Sequence, residues 1–240
     1  MSAPREGGFP VAILAGGLAT RMRPATERIP KALLEVAGRP FVEHQLALLR
    51  REGVGRVVLC VGFLGEMIEA AIGDGARFGL EVSYSFDGEK LLGTGGALRQ
   101  ALPRLGERFF VLYGDSYLEI GYAAVQAAYR RSGLPALMTV FRNEGRWDTS
   151  NVLFDGSRIV RYDKRHPTAD MKFIDYGLGI LNGDVLRAVR AGAFDLSDLY
   201  TALALEGRLA GYEATRRFYE IGTPSGLAEA DSHLRGQSQP

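Results

Sequence analysis

The chain has 240 residues, of which 46% are hydrophobic and 24% are charged, and its 29 Lys and Arg nearly balance its 28 Asp and Glu. This length allows one large α/β domain with a sizeable core, and a single domain is the simpler interpretation. The near-zero net charge excludes a global field that would attract nucleic acid or a membrane surface, so we expect neither as a partner. An anionic ligand must therefore be bound by a local cluster of basic residues.

The chain carries a single cysteine and lacks the sequence features of export. Cys60 lies in the apolar run 57–61, which predicts a buried strand residue, and a lone cysteine excludes an internal disulfide. Residues 1–8 lack the apolar core of a signal peptide, and no apolar run reaches the roughly 18 residues that a membrane span needs. We therefore expect a cytoplasmic protein.

The first half of the chain alternates predicted strands with predicted helices. Short apolar runs predict buried parallel strands, and apolar residues at helical spacing predict the helices between them. The strands are expected at 10–14, 56–61, 80–85 and 109–113, and the helices at 40–52, 65–72, 97–105 and 121–132. This order predicts an open α/β sheet, which binds ligands at the carboxyl ends of its strands.

Beyond residue 134 the pattern becomes β-rich and predicts a smaller, inserted layer. Gly236–Pro240 is expected to be a disordered tail, and no internal repeat is found. The predicted strands are 135–142, 150–154, 157–163 and 173–181 and a pair within 209–220, and the predicted helices are 183–191, 196–206 and 224–234.

A glycine loop follows the first predicted strand. Gly16 and Gly17 allow backbone N–H groups to approach an anion without a Cβ in the way, and Arg21 and Lys31 add positive charge nearby. Arg grips phosphate oxygens with a rigid fork, whereas Lys acts as a movable point charge. The loop therefore predicts triphosphate binding, although it matches neither the P-loop nor the dinucleotide fingerprint.

Residues 11–41 resemble the signature of the nucleotide-sugar pyrophosphorylases, which are sugar-1-phosphate nucleotidyltransferases: L-A-G-G-x-x-T-R-x-x-P-x-T, then P-K-x-L-x-x-V-x-G-x-P. Later motifs extend the resemblance to roughly residues 10–235. It implies a Rossmann-like nucleotide-binding α/β fold with a mixed, mostly parallel central sheet and a smaller β-rich sugar-binding layer. We expect a single domain over 1–240, divided into a mainly nucleotide-binding part 9–134, a mainly sugar-binding part 135–222 and a C-terminal helix 223–236.

The resemblance also assigns roles to side chains of the glycine loop. It implies that Arg21 stabilises the α-phosphate and the departing pyrophosphate, and that Lys31 contacts the reacting phosphates. The further residues that it implies in nucleotide binding are Leu14, Ala15, Gly16, Gly17 and Thr20 in the loop, and Gly93, Thr94, Gly95 and Gly96 at the base. Thr94 has the alternative role of capping the following helix.

Two segments resemble the metal-binding motifs of the family. Asp115, in Gly114-Asp115-Ser116, ends a hydrophobic strand, where a carboxylate suits Mg²⁺ bound to phosphate oxygens. In 219–224 the family usually has Asp where this chain has Glu220, one methylene longer. The resemblance implies Mg²⁺ held by Asp115 and Glu220, with the alternative that Glu220 only caps or pairs near the last helix.

Several residues of the second half are candidates for binding the sugar 1-phosphate. Lys164 matches the second lysine of the family, which binds the phosphate of the sugar substrate. Asp175 and Gly177 fall where the family often has N-A-G, and Asn151 is a weaker candidate for sugar contact. Trp147 lies in a polar loop and is expected either to stack on a ligand or to belong to a lid or a partner surface.

The resemblance implies attack of a sugar 1-phosphate on the α-phosphorus of a bound NTP, which releases pyrophosphate and forms an NDP-sugar for cell-envelope polysaccharide. Because the nucleophile is already anionic, no general base is required. Heptose-1-phosphate guanylyltransferases and N-acetylmuramate-1-phosphate uridylyltransferases are equally similar, so either GTP with a heptose or mannose 1-phosphate or UTP with a hexose or N-acetylmuramate 1-phosphate is expected. A non-catalytic sensing subunit of the same fold is the alternative, and a homo-oligomer is compatible with both.

Overall fold

The computed structural model describes residues 8–190 and 192–237 of the chain. Strands and helices alternate between residues 41 and 113, and four consecutive strands follow between residues 136 and 182, as the apolar patterns predict. The strands are β1 Val11–Leu14, β2 Glu35–Val36, β3 Arg39–Pro40, β4 Arg56–Val61, β5 Glu81–Phe86, β6 Arg108–Tyr113, β7 Ser116–Tyr117, β8 Ala136–Arg142, β9 Val152–Phe154, β10 Ile159–Tyr162, β11 Phe173–Asn182, β12 Leu209–Ala214 and β13 Tyr219–Glu220. The α-helices are α1 Phe41–Arg51, α2 Gly65–Ile72, α3 Gly93–Leu105, α4 Tyr122–Ser132, α5 Gly183–Arg187, α6 Leu196–Leu205 and α7 Pro224–Gln237.

A nine-stranded mixed sheet forms the centre of the fold. Its main path runs β10-β9-β11-β6-β1-β4-β5, and β8 joins β11 to β12. The strands β6, β1, β4 and β5 are mutually parallel, whereas β11 runs antiparallel to β6 and β8. The β-rich second half of the chain therefore extends the same sheet that the first half begins.

Helices cover both faces of this sheet. Successive strand residues point to opposite faces, so Val11 and Ile13 pack with α1, α2 and α4, and Ala12 packs with α3, α5 and α6. A third apolar cluster, which includes Val36 and Leu234, packs α7 onto the short strands. This cluster fixes β13 beside β7, where Glu220 pairs with Ser116.

The carboxyl ends of β1 and β6 lie side by side, with Leu14 opposite Tyr113. Gly114 follows β6 and donates its N–H to the carbonyl of Leu14 at 3.0 Å. A Cβ at Gly114 would collide with that carbonyl, so only glycine permits this close approach. The glycine loop and the segment that carries Asp115 therefore begin at the same edge of the sheet.

Three predicted boundaries differ from the structure by three residues or more. Helix α3 begins at Gly93 rather than residue 97, because the carbonyl of Phe194 accepts the N–H groups of Gly95 and Gly96 and supports the glycine-rich first turn. The prediction of a disordered tail is wrong for residues 236 and 237, which belong to α7, and 238–240 lie outside the described residues. Helix α5 ends at Arg187, earlier than predicted.

None of the helices in the described residues combines the length and the apolar character that crossing a membrane requires. Cys60 is buried in β4, as predicted.

Candidate active site

Two cavities open at the carboxyl edge of the sheet and share Tyr113 and Asp115 in their walls. The first has a volume of about 320 Å³ and is lined by the glycine loop, the start of α3 and Lys31. The second has a volume of about 420 Å³ and is lined by Arg21 and by residues of the second half of the chain. Asp115 therefore lies where the two cavities meet.

The first cavity contains most of the residues expected to bind nucleotide. Its lining includes Leu14, Ala15, Gly16, Gly17, Gly93 and Thr94. Thr20 lies in a 3-10 turn and lines neither cavity. Gly95 and Gly96 also lie outside the lining of both, since they pack behind it against the Phe194 segment.

Thr94 connects two helices instead of capping α3. Its hydroxyl donates to Asp195 at 3.3 Å and accepts the N–H of Leu196, the first residue of α6, at 2.8 Å. Among the residues that the structure describes, no side chain caps the start of α3. Thr94 therefore ties the beginning of α3 to the beginning of α6 at the wall of the first cavity.

Asp87 and Asp195 are acidic residues of the first cavity that the motifs do not reveal. Asp87 accepts the N–H of Leu92 at 3.1 Å. Burial raises the pKa of its carboxyl, and the hydrogen bond from Leu92 partly offsets this. The position of Asp87 in the sequence could have identified it, because it directly follows β5, and open α/β sheets bind ligands at the carboxyl ends of their parallel strands. Asp195 comes from the distant start of α6 and carries no such signal.

Lys31 and Asp115 form an ion pair at the junction of the cavities. The Nζ atom of Lys31 lies 2.7 Å from Oδ2 of Asp115, and both side chains are largely buried. The carbonyl of Asp115 also accepts the N–H of Ile221 at 2.9 Å. The predicted phosphate lysine and the predicted metal carboxylate are thus in direct contact.

The side chains of Arg21, Asp115 and Glu220 lie together around Gly222. An ideal Cβ on Gly222 would lie 3.3 Å from Nη2 of Arg21, 3.6 Å from Oδ2 of Asp115 and 3.8 Å from Oε1 of Glu220. Burial raises the pKa of Glu220, the carboxylates of Asp115 and Asp148 raise it further, and Arg21 and Lys31 partly offset the effect. A cation bound nearby would lower the pKa of Glu220 again and so stabilise its ionised form.

This donor set fits a hard divalent cation that keeps several non-protein ligands. Asp115 and Glu220 offer oxygen ligands close together, and their mutual repulsion would be relieved by a positive ion. Among residues 8–190 and 192–237, no group of three or more His, Cys, Asp and Glu is arranged to hold a metal. Phosphate oxygens and water would have to complete the coordination of such an ion.

Asp175 lies in the wall of the second cavity, but its carboxylate faces inward. The side chain is 3% exposed, and its Oδ2 atom accepts the hydroxyls of Tyr113 and Tyr162 at 3.1 and 3.2 Å. Oδ1 accepts the N–H of Gly177 at 3.1 Å. Burial, reinforced by this carboxylate, raises the pKa of both phenols, so both remain donors at neutral pH.

Lys164 projects over this buried group into the second cavity. Its Nζ atom lies 3.8 Å from Oδ2 of Asp175 and 5.1 Å from the centre of the Tyr113 ring. Asn151 accepts the N–H of Asp175 at 3.1 Å and lines the same cavity, as Gly177 does. The arrangement favours Asp175 as a residue that positions Lys164, with Asn151 supporting the strand beside it. Asp148, Thr149 and Phe218 complete the wall without a motif that marks them.

Comparisons with known proteins agree with this geometry. A model of the family "Nucleotidyl transferase" matches residues 11–151. The N-acetylmuramate alpha-1-phosphate uridylyltransferase of Neisseria meningitidis is 32% identical over 224 residues, which cover 92% of this chain and 96% of that protein. The catalytic subunit beta of mannose-1-phosphate guanylyltransferase from Danio rerio is 29% identical, over 88% of this chain and 61% of that protein.

A solved structure of UDP-glucose pyrophosphorylase from Acinetobacter baumanii superposes with a TM-score of 0.78 at 18% identity, covering 96% of this chain and 94% of that one. This likeness confirms the predicted fold class. The family model covers residues 11–151, and the relative from Neisseria meningitidis aligns over nearly its whole length. The chain therefore belongs to the nucleotidyl transferase family and is an enzyme of that family.

Proposed function

We propose that this enzyme transfers a nucleoside monophosphate from an NTP to a sugar 1-phosphate, releasing pyrophosphate and forming an NDP-sugar. The observation that carries the proposal is the Lys31–Asp115 pair, because it lies between a cavity with a glycine loop and a cavity with a second lysine, Lys164. Two anionic substrates placed in the two cavities would meet at this pair.

The NTP is placed in the first cavity, with its phosphates on the backbone N–H groups of Gly16 and Gly17. Lys31 reaches the reacting phosphates from one side, and Arg21 neutralises charge on the α-phosphate and on the departing pyrophosphate. The sugar 1-phosphate is placed in the second cavity with its phosphate on Lys164. Its oxygen attacks the α-phosphorus in line, and because it is already anionic, catalysis depends on positioning and on charge neutralisation.

Asp115 and Glu220 would hold Mg²⁺ at the junction of the cavities. The ion would supply positive charge to the phosphate oxygens. Asp115 is paired with Lys31 in the described structure, so on binding the ammonium group would be free to turn to the phosphates. Glu220 lies on β13 and pairs with Ser116, the residue that follows Asp115.

The lining of the two cavities supports a division of the chain into a nucleotide-binding part 9–134 and a sugar-binding part 135–222, followed by the C-terminal helix 223–236. The division is not strict, since Asp195 reaches the first cavity and Arg21 the second. UTP and GTP both remain candidates, because relatives with either specificity match the chain. We place the reaction in the cytoplasm, where NTPs are found, without a membrane or nucleic-acid partner.

The test is pyrophosphate release in the presence of Mg²⁺, with each of the four NTPs against a panel of sugar 1-phosphates. Arg21→Ala and Asp115→Ala should abolish release, whereas Glu66→Gln, an exposed charge change on α2, should leave it unchanged. Release that depends on one NTP, one sugar 1-phosphate and both side chains would establish the reaction. Tight nucleotide binding without turnover for any pair would instead favour the sensing subunit.

A further inference from the structure

The second cavity has more acidic than basic side chains in its wall. A sugar 1-phosphate brings about two further negative charges into it at neutral pH. The charged residues of the lining are Asp115, Asp148, Asp175 and Glu220 on the acidic side, and Arg21 and Lys164 on the basic side. The proposed Mg²⁺ would offset Asp115 and Glu220, and the phosphates would use Arg21 and Lys164, so an additional negative charge on the sugar would meet an acidic wall without a free cation.

Asp148 differs from the other three acids because no cation of the described residues forms an ion pair with it. Asp115 pairs with Lys31, Asp175 lies beneath Lys164, and Glu220 belongs to the proposed metal site. The carboxylate of Asp148 accepts the N–H of the adjacent Thr149 at 2.6 Å, and within the described parts of the chain it takes part in no ion pair within 4 Å. The residue is solvent-exposed and lines the cavity, so its charge is partly screened by water and still lies beside a ligand bound there.

The backbone around Asp148 is fixed by a buried asparagine. The Nδ2 atom of Asn143 donates to the carbonyl of Asp148 at 2.6 Å, and its Oδ1 atom accepts the N–H of Trp147 at 3.2 Å. Asn143 is fully buried. The loop that carries Asp148 is thus ordered from its base.

A stacking contact holds the outer part of this loop against the strand that carries Glu220. The guanidinium carbon of Arg217 lies 3.6 Å from the ring centre of Trp147 and 4.9 Å from that of Tyr219. Arg217 also pairs with Glu229 of α7. Trp147 is 48% exposed, yet this contact ties it to the residue that precedes Glu220, and Asp148 is thereby held at the cavity.

The cations near the sugar are already committed. Lys164 and Arg21 are placed on the phosphates by the proposed function, and Arg217 is engaged with Trp147 and Glu229. In the described lining no basic side chain is left for a carboxylate on the sugar. A neutral sugar meets no such problem, because its hydroxyls can donate hydrogen bonds to Asp148.

We propose that the second cavity takes a neutral sugar 1-phosphate and that Asp148 is the specificity-determining residue that excludes acidic sugars. This inference rests on the proposed function and sets the chain apart from its 32% identical relative, which is named for N-acetylmuramate 1-phosphate, a sugar phosphate with a carboxylate. The stacked pair of Trp147 and Arg217 positions Asp148 for this role.

The experiment compares neutral with acidic substrates: glucose 1-phosphate with glucuronate 1-phosphate, which has a carboxylate in place of the C6 hydroxymethyl group, and the methyl ester of N-acetylmuramate 1-phosphate with the free acid, which keeps the same lactyl group. The kcat/KM of the neutral member should exceed that of the acidic member by about tenfold or more, because a like charge at contact distance is disfavoured. Asp148→Asn should reduce this ratio severalfold by improving the acidic substrates. Glu144→Gln, the same charge change on the same loop but outside the cavity lining, should preserve it.

Binding of the same four compounds to the enzyme with Mg²⁺ and a non-hydrolysable NTP, measured by calorimetry, separates this inference from the proposed function. If the wild-type enzyme binds the neutral sugar phosphates more tightly than the acidic ones, and Asp148→Asn reduces the ratio of the two dissociation constants, the inference holds even without turnover of any substrate. Trp147→Ala should also reduce the ratio between the dissociation constants of acidic and neutral sugar phosphates, and it should leave the KM for the NTP unchanged. Equal or better use of the acidic sugars by the wild-type enzyme would overturn the inference, as would an equal loss for all sugars in Asp148→Asn.

Discussion

The ammonium group of Lys31 lies 2.7 Å from the carboxylate of Asp115, and this pair connects the glycine loop after β1 to the carboxyl end of β6. The two residues are 84 positions apart and meet because β1 and β6 are adjacent and parallel in the sheet. In the proposed reaction the two residues separate: Lys31 binds a phosphate of the substrate, and Asp115 binds the metal ion.

Lys31→Met should lower kcat by a factor of about 10²–10³, the usual cost of removing one preorganised group that stabilises charge in a transition state. Since Lys164 and not Lys31 is placed on the sugar substrate, the KM for the sugar 1-phosphate should change little. Steady-state pyrophosphate release measures both constants. Lys172→Met, at an exposed position away from both cavities, is the matched control, and a wild-type kcat in Lys31→Met would contradict the assigned role.

Glu220→Gln should remove activity and yet stabilise the metal-free protein at neutral pH. The pKa of Glu220 is raised in the folded state, so the folded protein binds this proton more tightly than the unfolded chain does. Stability from this group is therefore present at low pH and is lost as the pH rises through the raised pKa. A neutral glutamine avoids that loss.

Thermal unfolding in EDTA at pH 4 and at pH 7.5 measures this effect. The Tm of Glu220→Gln should exceed that of the wild type at pH 7.5, and the difference should shrink towards pH 4, where the wild-type carboxyl is largely protonated in both states. With Mg²⁺ present the wild type should recover stability and the variant should not. A lower Tm for the variant at pH 7.5 would show that Glu220 is stabilised by Arg21 and Lys31 rather than strained by its acidic neighbours.

Gly114→Ala should destabilise the fold by about 1–3 kcal/mol, the usual cost of forcing extra volume into a packed site. The new methyl group would collide with the carbonyl of Leu14 and push the ends of β1 and β6 apart. Urea unfolding of the variant measures the change. Gly55→Ala is the control, because a Cβ there meets none of the described residues within 4 Å and the backbone φ is not positive. Equal stability of the two variants would show that the edge of the sheet is not tightly packed.

Asp175→Asn should raise the KM for the sugar 1-phosphate severalfold and leave the KM for the NTP unchanged. The substitution removes the charge that lies 3.8 Å from Lys164, so the ammonium group loses its fixed position but not its charge. Lys164→Ala should act on the same constant more strongly. An equal rise of both Michaelis constants would mean that Asp175 supports the whole site through its tyrosine partners rather than orienting Lys164.

Secondary-structure elements that depend on local patterns could be predicted from the sequence, and motifs identified candidate site residues. Strand β4 and helix α2 have their predicted bounds, because apolar periodicity and flanking glycines are local signals. The start of α3 was predicted four residues late, since glycine disfavours a helix and its support comes from Phe194, about 100 residues away. Long-range hydrogen bonds of this kind leave no trace in a single segment.

The same limit applies to the site. Gly16, Lys31, Asp115 and Lys164 lie in motifs, and each lines one of the two cavities or both; their roles in binding stay predictions. Asp148 and Asp195 reach the cavities only through the tertiary fold, from a loop ordered by Asn143 and from a helix start tied to Thr94. Asp175 was expected to contact the sugar, and its burial under two tyrosines could not be inferred from its position in the sequence.

The most direct test of the central claim follows the fate of individual phosphates. The enzyme is incubated with Mg²⁺, a sugar 1-phosphate and the preferred NTP labelled with ³²P at the α- or the γ-position, and the products are separated. The account predicts that the α-label appears in the NDP-sugar and the γ-label in pyrophosphate, each only when the sugar 1-phosphate is present. Transfer of the γ-label to the sugar, or release of label without the sugar, would contradict it.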